Sequence, residues 1–86
     1  MLEKDTPDPS LTERLLECFR VVFPGVPDEE LIRASVTSMG KWDSVAHVTL
    51  VSLIEEQLGI QFPLGSYAEL TSFPALRDEA MKSLSR

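Results

Sequence analysis

The sequence predicts an all-α protein, a small four-helix bundle of three main helices and one short helix with an unusually long first connection. Three observations carry that class. Apolar residues recur at helical spacing in three separate segments, no segment alternates apolar with polar residues as a half-buried strand does, and start and stop signals bracket the periodic segments. With 86 residues, 43% of them hydrophobic, the chain has material for one domain with its own core. That domain is expected over residues 10–86, behind a flexible tail at 1–9, "MLEKDTPDP", which holds prolines and no periodicity.

Ser10 opens the first helix in this reading. "SLTE" is a capping box, in which the Ser10 hydroxyl and the Glu13 carboxylate reciprocally satisfy free backbone donors. Leu11, Leu15, Phe19 and Val22 follow at helical spacing, Leu16, Cys18 and Phe23 widen the apolar face, and Pro24-Gly25 ends the helix. From Val26 to Trp42 runs the long connection, with a short helical turn expected at "PDEEL". Leu31, Ile32, Val36 and Met39 are spaced to pin it to the core, and Asp28, Glu29 and Glu30 read as a solvated loop face. The second main helix spans about Ser44 to Leu58 and stops at Gly59, with Leu50, Val51, Ile54 and Leu58 on its inner face. Ile60 and Phe62 look like core pegs. "SYAE", Ser66 to Glu69, is a second capping box and predicts the short helix. Ser72 caps the last helix, with Pro74 in its first turn and Leu76, Ala80 and Leu84 as the inner stripe.

Fourteen acidic against eight basic residues leave a net charge of −6, a balance that repels nucleic-acid phosphate and anionic membranes. It suits partners with basic docking patches. No apolar run reaches the length of a membrane span, and the N-terminus lacks the order of a signal peptide. Cys18 is the single cysteine, so no disulfide forms within the chain, which fits a reducing compartment. A soluble, cytoplasmic, monomeric protein is expected, with no nucleic acid and no membrane among its partners.

The chemistry concentrates at "GKWDSVAHVTLVSLIEEQLGI", Gly40 to Ile60, where an Asp-Ser pair meets the start of a long helix. Ser44 has three readings there: a helix cap, a nucleophile served by His47 on the next turn, or an attachment point for a group the chain does not encode. A helix N-terminus offers unpaired backbone N–H groups and a partial positive charge, which favour a phosphate ester on a serine at that place. Asp43 can itself serve as the cap. No carboxylate or histidine cluster accompanies it, so the junction does not read as a metal site.

"WDSVAHVTLVSLIEEQLGIQF" resembles the central segment of acyl carrier proteins, whose hallmark is an Asp-Ser-Leu-like triplet opening the second of four helices. The resemblance extends more loosely from Ser10 to Leu84. It implies a bundle of acyl-carrier-protein type and a protein with no bond chemistry of its own. In that family the serine bears 4′-phosphopantetheine through a phosphodiester, and the thiol at its end holds an acyl group as a thioester. Matched by position, Ser44 is the attachment serine and Asp43 the preceding acid, while Val45 stands where the family has leucine. Glu55, Glu56 and Leu58-Gly59-Ile60 match the family's acidic pair and the ending that follows it. The partners implied are a phosphopantetheinyl transferase and acyl-loading and acyl-transfer enzymes, of fatty-acid, polyketide or other specialised biosynthesis.

Two departures qualify the match. Ala46 and Thr49 occupy places where the family often has acids, and one more residue than usual separates Gly40 from Asp43. Both features point to a stand-alone carrier of a dedicated pathway rather than the housekeeping fatty-acid type. Val45 and Val48, with Thr49, Ser52, Glu55 and Glu56, form the expected partner face opposite Leu50 and Ile54. His47 falls beside Leu50 and Ile54 and reads as a core-edge residue, and Trp42 as a loop anchor. Phe19, Leu50, Ile54 and Phe62 are the candidates to line a cavity for a long acyl chain. An aminoacyl or peptidyl carrier and an unmodified helical interaction module are the alternative functions, and a Ser44–His47 hydrolase is the most distant.

Overall fold

The computed structural model describes residues 9–85, and within them helices account for nearly all regular structure. The order is α1 (Pro9–Val22), a single turn α2 (Asp28–Leu31), α3 (Ser44–Leu58), a 3₁₀ helix (Leu64–Glu69) and α4 (Phe73–Ser85). α1 packs chiefly on α3 and also meets α4 and α2. The expected tail over residues 1–9 lies outside the described residues except for Pro9, which opens α1. The first helix therefore starts one residue before Ser10, placing that serine inside the first turn and not at the cap. Proline suits a first helical position because its missing N–H has no intrahelical partner there anyway. Glu13, the expected second half of the capping box, instead accepts from Arg20 Nη1 at 3.1 Å.

Hydrophobic burial holds these helices together. α1 contributes Leu11, Leu15, Leu16, Cys18 and Phe19, followed by Phe23 just beyond its end. α3 contributes Leu50, Val51, Ile54 and Leu58, and α4 contributes Phe73, Leu76 and Ala80. No polar or charged residue among those described is buried with them. Phe19 is the hub: its ring lies 4.9 Å from Phe73, 5.5 Å from Trp42 and 6.1 Å from Phe23, centroid to centroid. Such pairs add about 0.5–1.5 kcal/mol each beyond their buried area. Burial of Cys18 pushes its thiol pKa up, with the Glu17 charge a smaller contribution in the same direction, as fits a small core hydrophobe.

The long connection is pinned, by a set of residues that overlaps only partly with the expected one. Leu31 is fully buried, and Val36 and Met39 pack partly against the core, but Ile32 is 41% exposed. α2 is one turn long, so adjacent residues Leu31 and Ile32 cannot share its inner side. Ala34 and Trp42 complete the anchoring, Trp42 at 3% exposure. Val36 N–H donates to Thr71 O and Phe73 N–H to Ala34 O, each at 3.0 Å, making an isolated antiparallel bridge between Ser35 and Ser72. Hydroxyls tighten the same turn: Ser35 N–H donates to Ser38 Oγ at 3.0 Å and Ser38 N–H to Ser35 Oγ at 3.1 Å. Asp28 is not merely solvated, since Arg20 donates to both its oxygens, at 3.0 and 2.6 Å, tying α2 to α1. That pairing lowers the Asp28 pKa and raises that of Arg20.

Beyond α3, Phe62 is buried and Ile60 partly so, as pegs should be. The short helix is 3₁₀ and begins at Leu64, ahead of the expected box. Ser66 Oγ donates back to Pro63 O at 2.8 Å, so it does not cap, and Glu69 stays exposed. Ser72 does cap α4, accepting from Ala75 N–H at 3.2 Å. Leu84 is 49% exposed, and Met81 rather than Leu84 packs the last part of α4 onto the core. The expected stripe points the right way, but the helix outruns the surface on which it lies.

Gly59 ends α3 in the left-handed conformation, φ +67°, while its N–H donates to Glu55 O. An added Cβ would touch nothing within 4 Å there or at Gly40, so only backbone conformation separates the two positions. Gly59→Ala should lower unfolding stability by about 1–2 kcal/mol, whereas Gly40→Ala should change it by less than about 0.5 kcal/mol. Urea unfolding of both variants checks the contrast.

Candidate functional site

Asp43 has the extended backbone of an N-cap, φ −94° and ψ −174°, and its carboxylate accepts from Ala46 N–H at 2.9 Å. The cap is thus made by the aspartate, and Ser44 becomes the first residue of a 15-residue helix with an exposed side chain. The first N–H groups of a helix have no carbonyl partner within it and leave that end with partial positive charge. An exposed hydroxyl thus stands at the positive end of a long helix, while Asp43 beside it already holds the cap.

Trp42 fixes where this junction sits. Its indole packs on Phe19 and Phe23, 5.5 and 5.9 Å between centroids, so the residue before Asp43 is nailed to the core. Trp42 Nε1–H donates to His47 Nδ1 at 3.0 Å. An indole N–H can only donate, so Nδ1 is the accepting nitrogen, which assigns the proton to Nε2. That nitrogen faces Tyr67 O at 3.2 Å and donates to it. Both ring nitrogens of the half-buried His47 are therefore engaged, and the lone pair that a general base would need is directed at Trp42.

Tyr67 carries the network onward. Its hydroxyl donates to Glu55 Oε2 at 3.1 Å, and the same oxygen accepts from Phe62 N–H at 2.9 Å. Glu55 is consequently half-buried and turned toward the 3₁₀ segment, away from the other five residues of the expected partner face. Those five, Val45, Val48, Thr49, Ser52 and Glu56, are all exposed along one side of α3. Val45 is 76% and Val48 58% exposed, the largest apolar exposure on that helix. Thr49 Oγ1 donates back to Val45 O at 3.0 Å.

Next to Ser44 lies a shallow depression of about 240 Å³, walled by Val36, Trp42, His47, Tyr67 and Thr71. A wider open hollow of about 560 Å³ lies between α2 and the following turn and shares none of its lining with the α3 N-terminus. Tyr67 and the Glu55 brace were invisible to sequence reasoning. Tyr67 lies in a single short 3₁₀ helix, too brief for periodicity to predict which way its side chain points, and Glu55 stands at the edge of two faces. Capping by Asp43 and anchoring by Trp42 were legible.

No family model, curated protein or solved structure matches this chain. Fold and site together define a small, mostly helical protein that presents an exposed serine on an aspartate-capped helix beside an apolar stripe. Among the described residues no helix is long and apolar enough to cross a membrane.

Two outcomes test this geometry. Asp43→Ala should lower stability by about 1 kcal/mol through loss of the cap, while Ser44→Ala should stay within about 0.5 kcal/mol; the reverse order in urea unfolding would mean that the serine is the cap. Burial first, and then the hydrogen bond to the Glu55 carboxylate, raise the Tyr67 pKa above the ordinary phenol value. A raised pKa stabilises the fold fully below the unfolded phenol value, and that contribution is lost as pH rises through the folded one. Phenolate absorbance of this single tyrosine should therefore rise at higher pH than in the unfolded chain, and Glu55→Gln should bring it part of the way back.

Proposed function

We propose that this protein is an acyl carrier, holding acyl intermediates as thioesters on a 4′-phosphopantetheine arm attached to Ser44 and presenting them to partner enzymes of a dedicated biosynthetic pathway. The observation that carries the reading is the division of labour at the α3 N-terminus: Asp43 caps the helix and Ser44, the next residue, is left exposed. The helix order agrees with a bundle of acyl-carrier-protein type, long, one-turn, long, short and long.

The arm supplies the thiol on which the acyl group is carried. The chain's own residues supply attachment, placement and recognition. Ser44 Oγ bonds to the phosphate of coenzyme A's pantetheine half, the phosphoanhydride bond to 3′,5′-ADP breaks, and the serine proton leaves to a base on the transferase. Val45, Val48, Thr49, Ser52 and Glu56 offer that transferase, and later the acyl-loading and acyl-transfer enzymes, one contact strip beside the tether. Contacts of this kind suit a carrier that must bind briefly and let go. A cytoplasmic location follows from the same reading, because coenzyme A and its transferases work there.

The exposed Val45 and Val48 favour a second reading, an unmodified helical interaction module that docks through the same strip. Loading separates the two. Incubated with coenzyme A and a broad-specificity phosphopantetheinyl transferase, the folded protein should gain the mass of one arm, and Ser44→Ala should gain none. An unchanged mass in the wild-type chain would remove the carrier reading and leave the module.

A further inference from the structure

The next inference rests on the carrier reading of Ser44 and concerns the class of cargo. A long acyl chain is an apolar body that water penalises with every added methylene. A carrier of such chains needs interior room reached from the attachment point. In this protein the four side chains placed to line such a room are packed shut: Phe19, Leu50 and Ile54 are fully buried and Phe62 nearly so. The Phe19 ring is hemmed by Phe23, Trp42 and Phe73 at centroid distances of 6.1, 5.5 and 4.9 Å. Trp42, two residues before Ser44, covers this cluster and is held in place by its 3.0 Å hydrogen bond to His47. A chain entering past Trp42 would have to break that bond and part the aromatic rings together.

What the surface offers instead is small. The depression beside Ser44 measures about 240 Å³ and is shallow. It opens to solvent and is walled on the inner side by Trp42 and His47, the two residues that close the interior. We propose that the cargo is a short acyl unit that stays outside the helical bundle throughout its time on the carrier.

Loading the wild-type chain with acetyl-, butyryl-, octanoyl- and dodecanoyl-pantetheine from the matching coenzyme A thioesters tests this, with intact mass confirming each product. The thermal midpoint should stay the same, within about 1 °C, across the series, and NMR signals of Leu50, Ile54, Phe62 and the Trp42 indole N–H should not move. Phe62→Ala, which opens space in the core, should acquire a midpoint that climbs with chain length and so shows that the assay detects sequestration. Should that variant fold poorly, Phe62→Leu takes its place. A midpoint rising from acetyl to dodecanoyl in the wild-type protein, with shifts spreading to those interior residues, would overturn the proposal while leaving the carrier reading intact. No mass gain with any thioester would remove both.

Discussion

Everything near Ser44 depends on how Trp42 is held. Its indole packs against the rings of Phe19 in α1 and of Phe23 just beyond it, and its N–H is satisfied by His47 from α3. Left without that acceptor, a buried indole N–H would cost about 1–3 kcal/mol, and each aromatic contact adds about 0.5–1.5 kcal/mol. These terms together exceed the roughly 1 kcal/mol of the Asp43 cap. The position of the α3 N-terminus is therefore decided by the residue before the cap, and the cap finishes a geometry already imposed. His47 in turn is committed to a structural task by having a partner at each nitrogen. The same fact that steadies the junction takes away the base that a serine nucleophile would require.

From His47 the constraint passes through Tyr67 to Glu55 and the Phe62 amide, closing a loop from the start of α3 to the segment that follows its end. The 3₁₀ helix has little hydrogen bonding of its own to rely on, since 3₁₀ geometry is poorer than α. It is held by these side-chain ties and by buried Leu70 and Phe73 after it. On the other flank, the Ser35–Ser72 bridge fastens the long connection to the entry of α4. The junction is thus braced from both sides, while the serine side chain itself stays outside the bracing.

Legibility in the sequence followed the kind of interaction involved. α3 was readable end to end because its boundaries are set by local chemistry, an Asp at one end and a Gly in left-handed conformation at the other, and its inner face by a simple period. The exposed strip from Val45 to Glu56 followed from the same period. α1 was misread at its start because Ser10 and Glu13 form a valid local signal that Pro9 and Arg20 outcompete. Ile32 and Leu84 were misassigned because burial depends on where a neighbour ends, which spacing within one helix cannot report. Backbone pairing at Ser35–Ser72 leaves no side-chain pattern at all, and the Glu55 brace joins residues whose relative direction is set only by the fold.

Charge must be counted by where it is free to act. Of the acids near the strip, Glu55 is spent on Tyr67 and Phe62, and Asp43 on its own helix. Asp28 and Glu13 are held by Arg20 on another part of the surface. Glu56 is what remains on the exposed side of α3, alongside Val45 and Val48. A net charge of −6 would still steer any basic partner toward the molecule from a distance. Close contact on the strip then depends more on apolar burial than on ion pairs. At about 25 cal/mol per Å², two exposed valines would give a brief encounter rather than a lasting complex. Because apolar contact is screened little by salt and charge steering is screened strongly, raising ionic strength would slow arrival while leaving the docked complex largely as tight. On the proposed carrier reading, the strip would choose among enzymes by the shape fitted to two valines, with charge governing how often they meet.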